Sequence, residues 1–242
     1  MPLKTSHNQS GRSVKANVAF FRDQHDSYRA NIQGLETYAR IRKSINEAIA
    51  GAKRVVDIGN GGVCDYDTEL VEEITAIDLF FDDMPEGYVT HGNVTLKAGS
   101  ALDLPEPDES FDCALMVMLV HHLVGKDVNE CVENIRRALR EAHRVLRPGG
   151  RLIVFESCVS SWFYNFERLV FPLVAPVIGS VTGHPATLQY PPRMLRDEIE
   201  LVFGGTVEVE EIPRGTWILQ YGHQFPSALT PSRPFRFGAK RQ

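Results

Sequence analysis

The chain has 242 residues, 43% hydrophobic and 24% charged, the make-up of one globular domain with a sizeable core. A net charge of -5 and a pI near 5.9 give no electrostatic case for nucleic acid, which needs clustered Lys and Arg, and favour a small-molecule partner. Cys64, Cys113, Cys131 and Cys158 form no CxxC pair and sit mostly in apolar segments, so they read as reduced core thiols of a cytoplasmic protein, and no metal ligand set is assigned.

Residues 1–17 are polar, lack the apolar core of a signal peptide and read as a flexible tail. From 18 to 50, Ile32, Leu35, Ala39, Ile45 and Ile49 recur at three- and four-residue steps, which predicts a helical arm stopped at Gly51. Phe20, Phe21, His25 and Tyr28 lie on this arm, where they pack it down or border a ligand cleft. The stretch Arg54 to Val63, RVVDIGNGGV, predicts a buried strand of β-branched residues breaking into a turn at Gly59, Gly61 and Gly62. Glycines there let a ligand reach main chain that a Cβ would shield. Asp57 just before the turn and Asp78 at the end of the next apolar run suggest a nucleotide-like ligand.

A short acidic helix is expected over Asp67 to Glu73, followed by strands at Ile74 to Asp78, Val94 to Ala98, Cys113 to Met118 and Leu152 to Glu156. Between the last two, Val128, Val132, Ile135, Leu139, Ala142 and Leu146 make one apolar stripe of a helix ended by Pro148-Gly149-Gly150. Alternating strands and helices with right-handed crossovers give a doubly wound α/β sheet. Residues 157–191 read as an inserted lid, rich in Trp162, Phe163, Phe166 and Phe171 yet broken by Glu167, Arg168, Pro172 and Pro176, so not a membrane span. A helix is expected from Pro192 to Phe203. Val207 to Ile212 and Trp217 to Tyr221, joined by Pro213-Arg214-Gly215, read as a closing hairpin, and 223–242 as a C-terminal extension without signal.

Four motifs in order then carry a resemblance: Asp57-Ile58-Gly59-Asn60-Gly61-Gly62; Asp78; Gly99-Ser100-Ala101 leading to Leu104-Pro105 and Ser110-Phe111-Asp112; and Arg144-Val145-Leu146-Arg147-Pro148-Gly149-Gly150 before strand five. The chain resembles the class I S-adenosylmethionine-dependent methyltransferases of the ubiquinone and menaquinone methyltransferase type. The loop departs from the GxGxxG of dinucleotide binding. The resemblance implies a mostly parallel, seven-stranded, Rossmann-like sheet over a single methyltransferase domain, 18–222. It also implies S-adenosylmethionine as cofactor and S-adenosylhomocysteine as product. The cofactor would be held by Asp57, Gly59, Asn60, Gly61, Asp78, Leu79, Ser100, Ala101, Val117 and Tyr28, with Asp57 near the methionine amino group and Asp78 on the ribose hydroxyls. Val63 and Ser100 depart from the family pattern, which keeps a second reading open: a binding or scaffold protein without turnover.

Methyl transfer asks the protein to align nucleophile and methyl, exclude water and supply a base when the nucleophile starts protonated. His121 and His122, just past strand four at the ligand-binding edge of the sheet, are the candidate bases, each also able to cap a helix or bond a carbonyl. Glu156 ends strand five nearby. His25, Trp162, Phe163, Phe166, His184 and Tyr190 are expected at the substrate, a small apolar or aromatic metabolite methylated on oxygen. The lid aromatics equally suit a homodimer interface.

Overall fold

The computed structural model describes residues 31–32, 34–79, 81, 92–182, 187–220 and 223–242, with backbone alone at 172–182 and 220. Helix α1 (Glu36–Ile49) leads into β1 (Arg54–Ile58), β2 (Glu73–Asp78), β3 (Val94–Ala98) and β4 (Phe111–Val117). Helix α2 (Val128–Val145) then runs into β5 (Leu146–Cys158), α3 (Ser161–Thr182) and α4 (Pro192–Phe203). The chain finishes with β6 (Glu208–Glu211), the hairpin β7 (Trp217–Gln220) and β8 (His223–Pro226), and β9 (Arg233–Lys240). Seven strands form one sheet in the order β3-β2-β1-β4-β5-β9-β6, in which β9 alone runs antiparallel to its neighbours. This is the doubly wound, mostly parallel architecture expected.

Alternation along the central strands shows why the sheet is covered on both faces. Val56 and Ile58, Ala114 and Met116, Leu152 and Val154, with Phe237, bury against α2 and α4 in the larger core cluster. Val55, Cys113 and Leu115, Ile153 and Phe155 face the other way, into a second cluster with Ile41, Ile45 and Ile49 of α1. Period-two residues that are apolar on both sides fit only a two-sided sandwich of helices.

Helix α2 is fixed locally before it packs. Asp127 accepts from the Glu130 main-chain N–H (2.9 Å) while the Glu130 side chain accepts from the Lys126 N–H (2.7 Å), which satisfies donors of the first turn. Arg136 then clamps Glu198 of α4 through two bonds of 2.7 and 2.9 Å, tying the two helices on one face.

Three expectations are corrected. The acidic helix over 67–73 is only a 3-10 turn, Thr68–Leu70, because Asn93 takes the carbonyls of Thr68 and Val71 with its side-chain amide and β2 starts at Glu73. The closing hairpin of 207–212 with 217–221 does not form: β6 pairs with β9, and β7 pairs with β8 in a separate two-stranded ribbon. Residues 223–242 are not an extension, since β9 is wedged between β5 and β6 with Phe237 fully buried, and its apolar period overrides its arginines and proline. The stretch expected as a lid begins as α3; among the described residues no helix is long and apolar enough to cross a membrane.

Candidate active site

The carboxyl ends of β1, β2, β4 and β5 and the start of β9 meet at one sheet edge, because Asp57 pairs beside Ala76 and Leu115, Val117 beside Phe155, and Cys158 beside Arg233. At this edge β1 breaks into the glycine turn. Gly59 has φ 70°, a conformation that side chains resist, and a Cβ there would lie within 3.0 Å of Leu119 Cγ and both its methyls. The turn is pinned to β2: the Gly59 N–H donates to the Ile77 carbonyl (2.8 Å) and the Gly61 N–H to Asp78 Oδ2 (3.0 Å).

Asp57 is 2% exposed. Its Oδ2 accepts from Asn60 Nδ2 (2.6 Å) and the Tyr66 hydroxyl (2.8 Å), whereas its Oδ1 and the Asn60 Oδ1 are buried acceptors without a donor. Burial raises the carboxyl from 3.8 to about 6; the Asn60 and Tyr66 donors pull it down, and the Asp78 charge pushes it up. Two orphaned acceptors beside a buried carboxylate call for a cation bearing several N–H donors, which is the chemistry of an amino acid ammonium. The methionine end of S-adenosylmethionine therefore fits the residues present. Asp78, half-buried and anchoring Gly61, offers a carboxylate to a vicinal diol.

Of the other expected cofactor residues, Ser100 and Ala101 follow β3 at the same edge, where Ser100 Oγ accepts from the Leu102 N–H (3.1 Å) instead of facing outward as a free hydroxyl. Val117 closes β4 beside the turn, and Leu79 is partly exposed after β2. Met118, next to Val117, holds φ 53°, a strained backbone at the point where the chain turns toward the histidines.

Beyond it, Val120–His122 forms a 3-10 turn. His121 Nδ1 meets Glu156 Oε1 at 2.6 Å, and the His121 main-chain N–H donates to Glu156 Oε2 (3.2 Å). Glu156 is fully buried, and its Oε1 also accepts from the Ser157 N–H (2.6 Å). A buried carboxylate on Nδ1 fixes the imidazole orientation and leaves Nε2 as the atom to take a proton. The His122 ring lies 4.2 Å from that of His121.

The expected substrate residues separate. Phe163 packs against the core, while Trp162 and Phe166 stack with ring centroids 6.3 Å apart on the outer side of α3, 75% and 53% exposed. Tyr190 is a correction: it is 1% exposed, set 5.9 Å from Tyr164 inside the larger core, because the Tyr190 carbonyl is bonded to the Val159 N–H just past β5 and draws the ring inward. His25, Tyr28 and His184 lie outside the described residues. Tyr66, Glu167 and Gln189 were not singled out from sequence; Tyr66 reaches Asp57 only through the fold of the loop between them. Among the described residues no group of three or more His, Cys, Asp or Glu is placed to hold a metal ion.

Residues 56–154 match the family described as a methyltransferase domain. The chain is 36% identical over 114 residues to a demethylmenaquinone methyltransferase of Tropheryma whipplei, covering 45% of this chain and 42% of that one. It is 29% identical over 143 residues to a ubiquinone/menaquinone biosynthesis C-methyltransferase of Rubrivivax gelatinosus, covering 57% and 53%. The chain thus spans about half the length of the curated relatives it matches. In fold it is similar to the 1,6-didemethyltoxoflavin-N1-methyltransferase of Burkholderia thailandensis, solved with 1,6-didemethyltoxoflavin and S-adenosylhomocysteine, with a TM-score of 0.62 at 16% identity over 100% of this chain and 94% of that one. A Thermotoga maritima structure described as a possible histamine N-methyltransferase gives 0.59 at 17% identity over 96% and 99%. Sheet order, acidic glycine turn and family match together place the chain among the class I S-adenosylmethionine-dependent methyltransferases.

Proposed function

We propose that the chain methylates a small aromatic hydroxyl compound of the quinol type, with His121 as the base. The observation that carries this reading is the 2.6 Å pairing of His121 with the buried Glu156 on the same sheet edge as the Asp57 turn. S-adenosylmethionine, when bound, supplies a sulfonium methyl; Asp57 and Asn60 would hold its ammonium and Asp78 its ribose. His121 Nε2 accepts the phenolic proton, and Glu156 offsets the imidazolium charge that results. A phenolate is nucleophilic at its oxygen and at the ring carbons beside it. Oxygen attack is the O-methylation expected from the sequence, and carbon attack is the kind of reaction for which the quinone relatives are named. The partner is a small molecule in either case.

The test is a thermal shift with S-adenosylhomocysteine followed by transfer of a labelled methyl group to a panel of phenols and quinols. Stabilisation with transfer that falls at least a hundredfold in His121→Asn supports the reading. Absence of both binding and transfer overturns it. Binding without transfer to any acceptor would make the chain a scaffold on this fold.

A further inference from the structure

Helix α3 and the strand-like segment after it touch the base from the side away from β5. Two consecutive main-chain donors do the stitching: the Leu188 N–H bonds the His121 carbonyl (3.2 Å), and the Gln189 N–H bonds Glu167 Oε2 of α3 (3.3 Å). The Gln189 side chain is fully engaged. Its Nε2 donates to Ser157 Oγ (3.0 Å), next to Glu156, and its Oε1 accepts from Ser232 Oγ (3.1 Å) at the foot of β9. Gln189 is 8% exposed and Ser232 is fully buried, so this bridge is shielded from competing water. It draws α3, β5, β9 and the histidine turn to one point.

We propose that Glu167 is a positioning residue for His121, the second acidic partner of the base after Glu156, held in place by the Gln189 bridge. Glu167 is close enough for the His121 charge to pull its carboxyl down, against burial that pushes it up to about 7. The groups around it are His121 and His122 on the turn, Glu156 on β5, Tyr190 on the following segment, and Tyr164 and Arg168 on its own helix. An ionised Glu167 favours the imidazolium formed when His121 takes a proton; a protonated Glu167 does not. Turnover would then rise with pH through the neutral range for a reason separate from cofactor binding.

This inference rests on His121 being the base, so two readouts are needed. Glu167→Gln keeps an acceptor for the Gln189 N–H while removing the charge. In that variant the rise of kcat/KM near pH 7 should flatten, and the rate at pH 8 should fall roughly tenfold, with melting temperature retained. A profile scaled down uniformly at every pH would mean a merely structural role and overturn the proposal. Independently of activity, carboxyl NMR of Glu167 should show its titration moving to higher pH in His121→Asn. An unchanged Glu167 titration in that variant also overturns the proposal. If instead that titration moves while His121→Asn keeps full activity, the pairing stands and the base assignment alone falls.

Discussion

Asp57 is held in a state that costs the empty protein stability and gains it cofactor. Its carboxyl is raised from 3.8 to about 6 in the fold, so the native state holds the proton more tightly than the unfolded chain does. Stability from this group is therefore complete below pH 4 and is lost as pH climbs through 6, where the buried oxygen must carry charge without a donor for Oδ1. The interval corresponds to roughly 3 kcal/mol at full ionisation. Asp57→Asn keeps an acceptor for Asn60 and Tyr66 and removes the charge. At pH 8 it should raise the stability of the ligand-free protein by about 2 kcal/mol, or roughly 4–8 °C in Tm for a domain of this size. It should leave stability at pH 4 nearly unchanged and abolish the stabilisation by S-adenosylhomocysteine. Urea unfolding and thermal melts from pH 4 to 8, with and without S-adenosylhomocysteine, measure all three. An Asn variant that is less stable than the parent at pH 8, or one still stabilised by the ligand, would refute the reasoning.

Three further outcomes follow from the same geometry. Gly59→Ala meets both a positive φ and Leu119, and should cost about 2–4 kcal/mol in urea unfolding while removing cofactor binding; recovery of stability in a double variant with Leu119→Ala would confirm that the clash is the larger part. Asp78→Ala removes the acceptor for the Gly61 N–H and for a ribose diol, and calorimetry should show affinity for S-adenosylhomocysteine lower by roughly ten- to a hundredfold. Phe237→Ala empties a fully buried site in β9 and should lower unfolding free energy by about 3–5 kcal/mol; a loss under 1 kcal/mol would mean β9 is not part of the core.

Much of the fold was legible because local pattern and tertiary role agree. The β-branched run at Val55 to Ile58 is a central strand with neighbours on both sides, and the stripe of Ile135, Leu139 and Ala142 is the buried face of α2. β9 was missed although Phe235, Phe237 and Ala239 alternate as a strand should, because Arg233, Pro234 and Arg236 masked that period. The arginines are accommodated by β6: Arg233 pairs with Glu211 (3.3 Å) and Arg236 with Glu210 (3.5 Å). The cofactor turn could be read from its own residues, since Asp57, Gly59 and Gly61 lie within one short stretch. His121 and Glu156 could be named singly, but their pairing depends on β4 and β5 being neighbours in register. Tyr66 and Gln189 carry no local signature at all; a tyrosine and a glutamine become site residues only through what the folded loops bring to them.

The place of β9 also bears on how the protein is made. Every other strand of the sheet leaves the ribosome before it, yet β9 sits inside the sheet, between β5 and β6. Until it arrives, β5 presents an unpaired edge with Ile153, Val154 and Phe155 on its two faces, an invitation to pair with another nascent chain. The acidic β6, Glu208-Val209-Glu210-Glu211, cannot close that gap by itself and has no hydrogen-bonded neighbour in the sheet except β9. Assembly of this domain is thus held open to its last strand, and its yield in a cell should depend on chaperone supply during that wait.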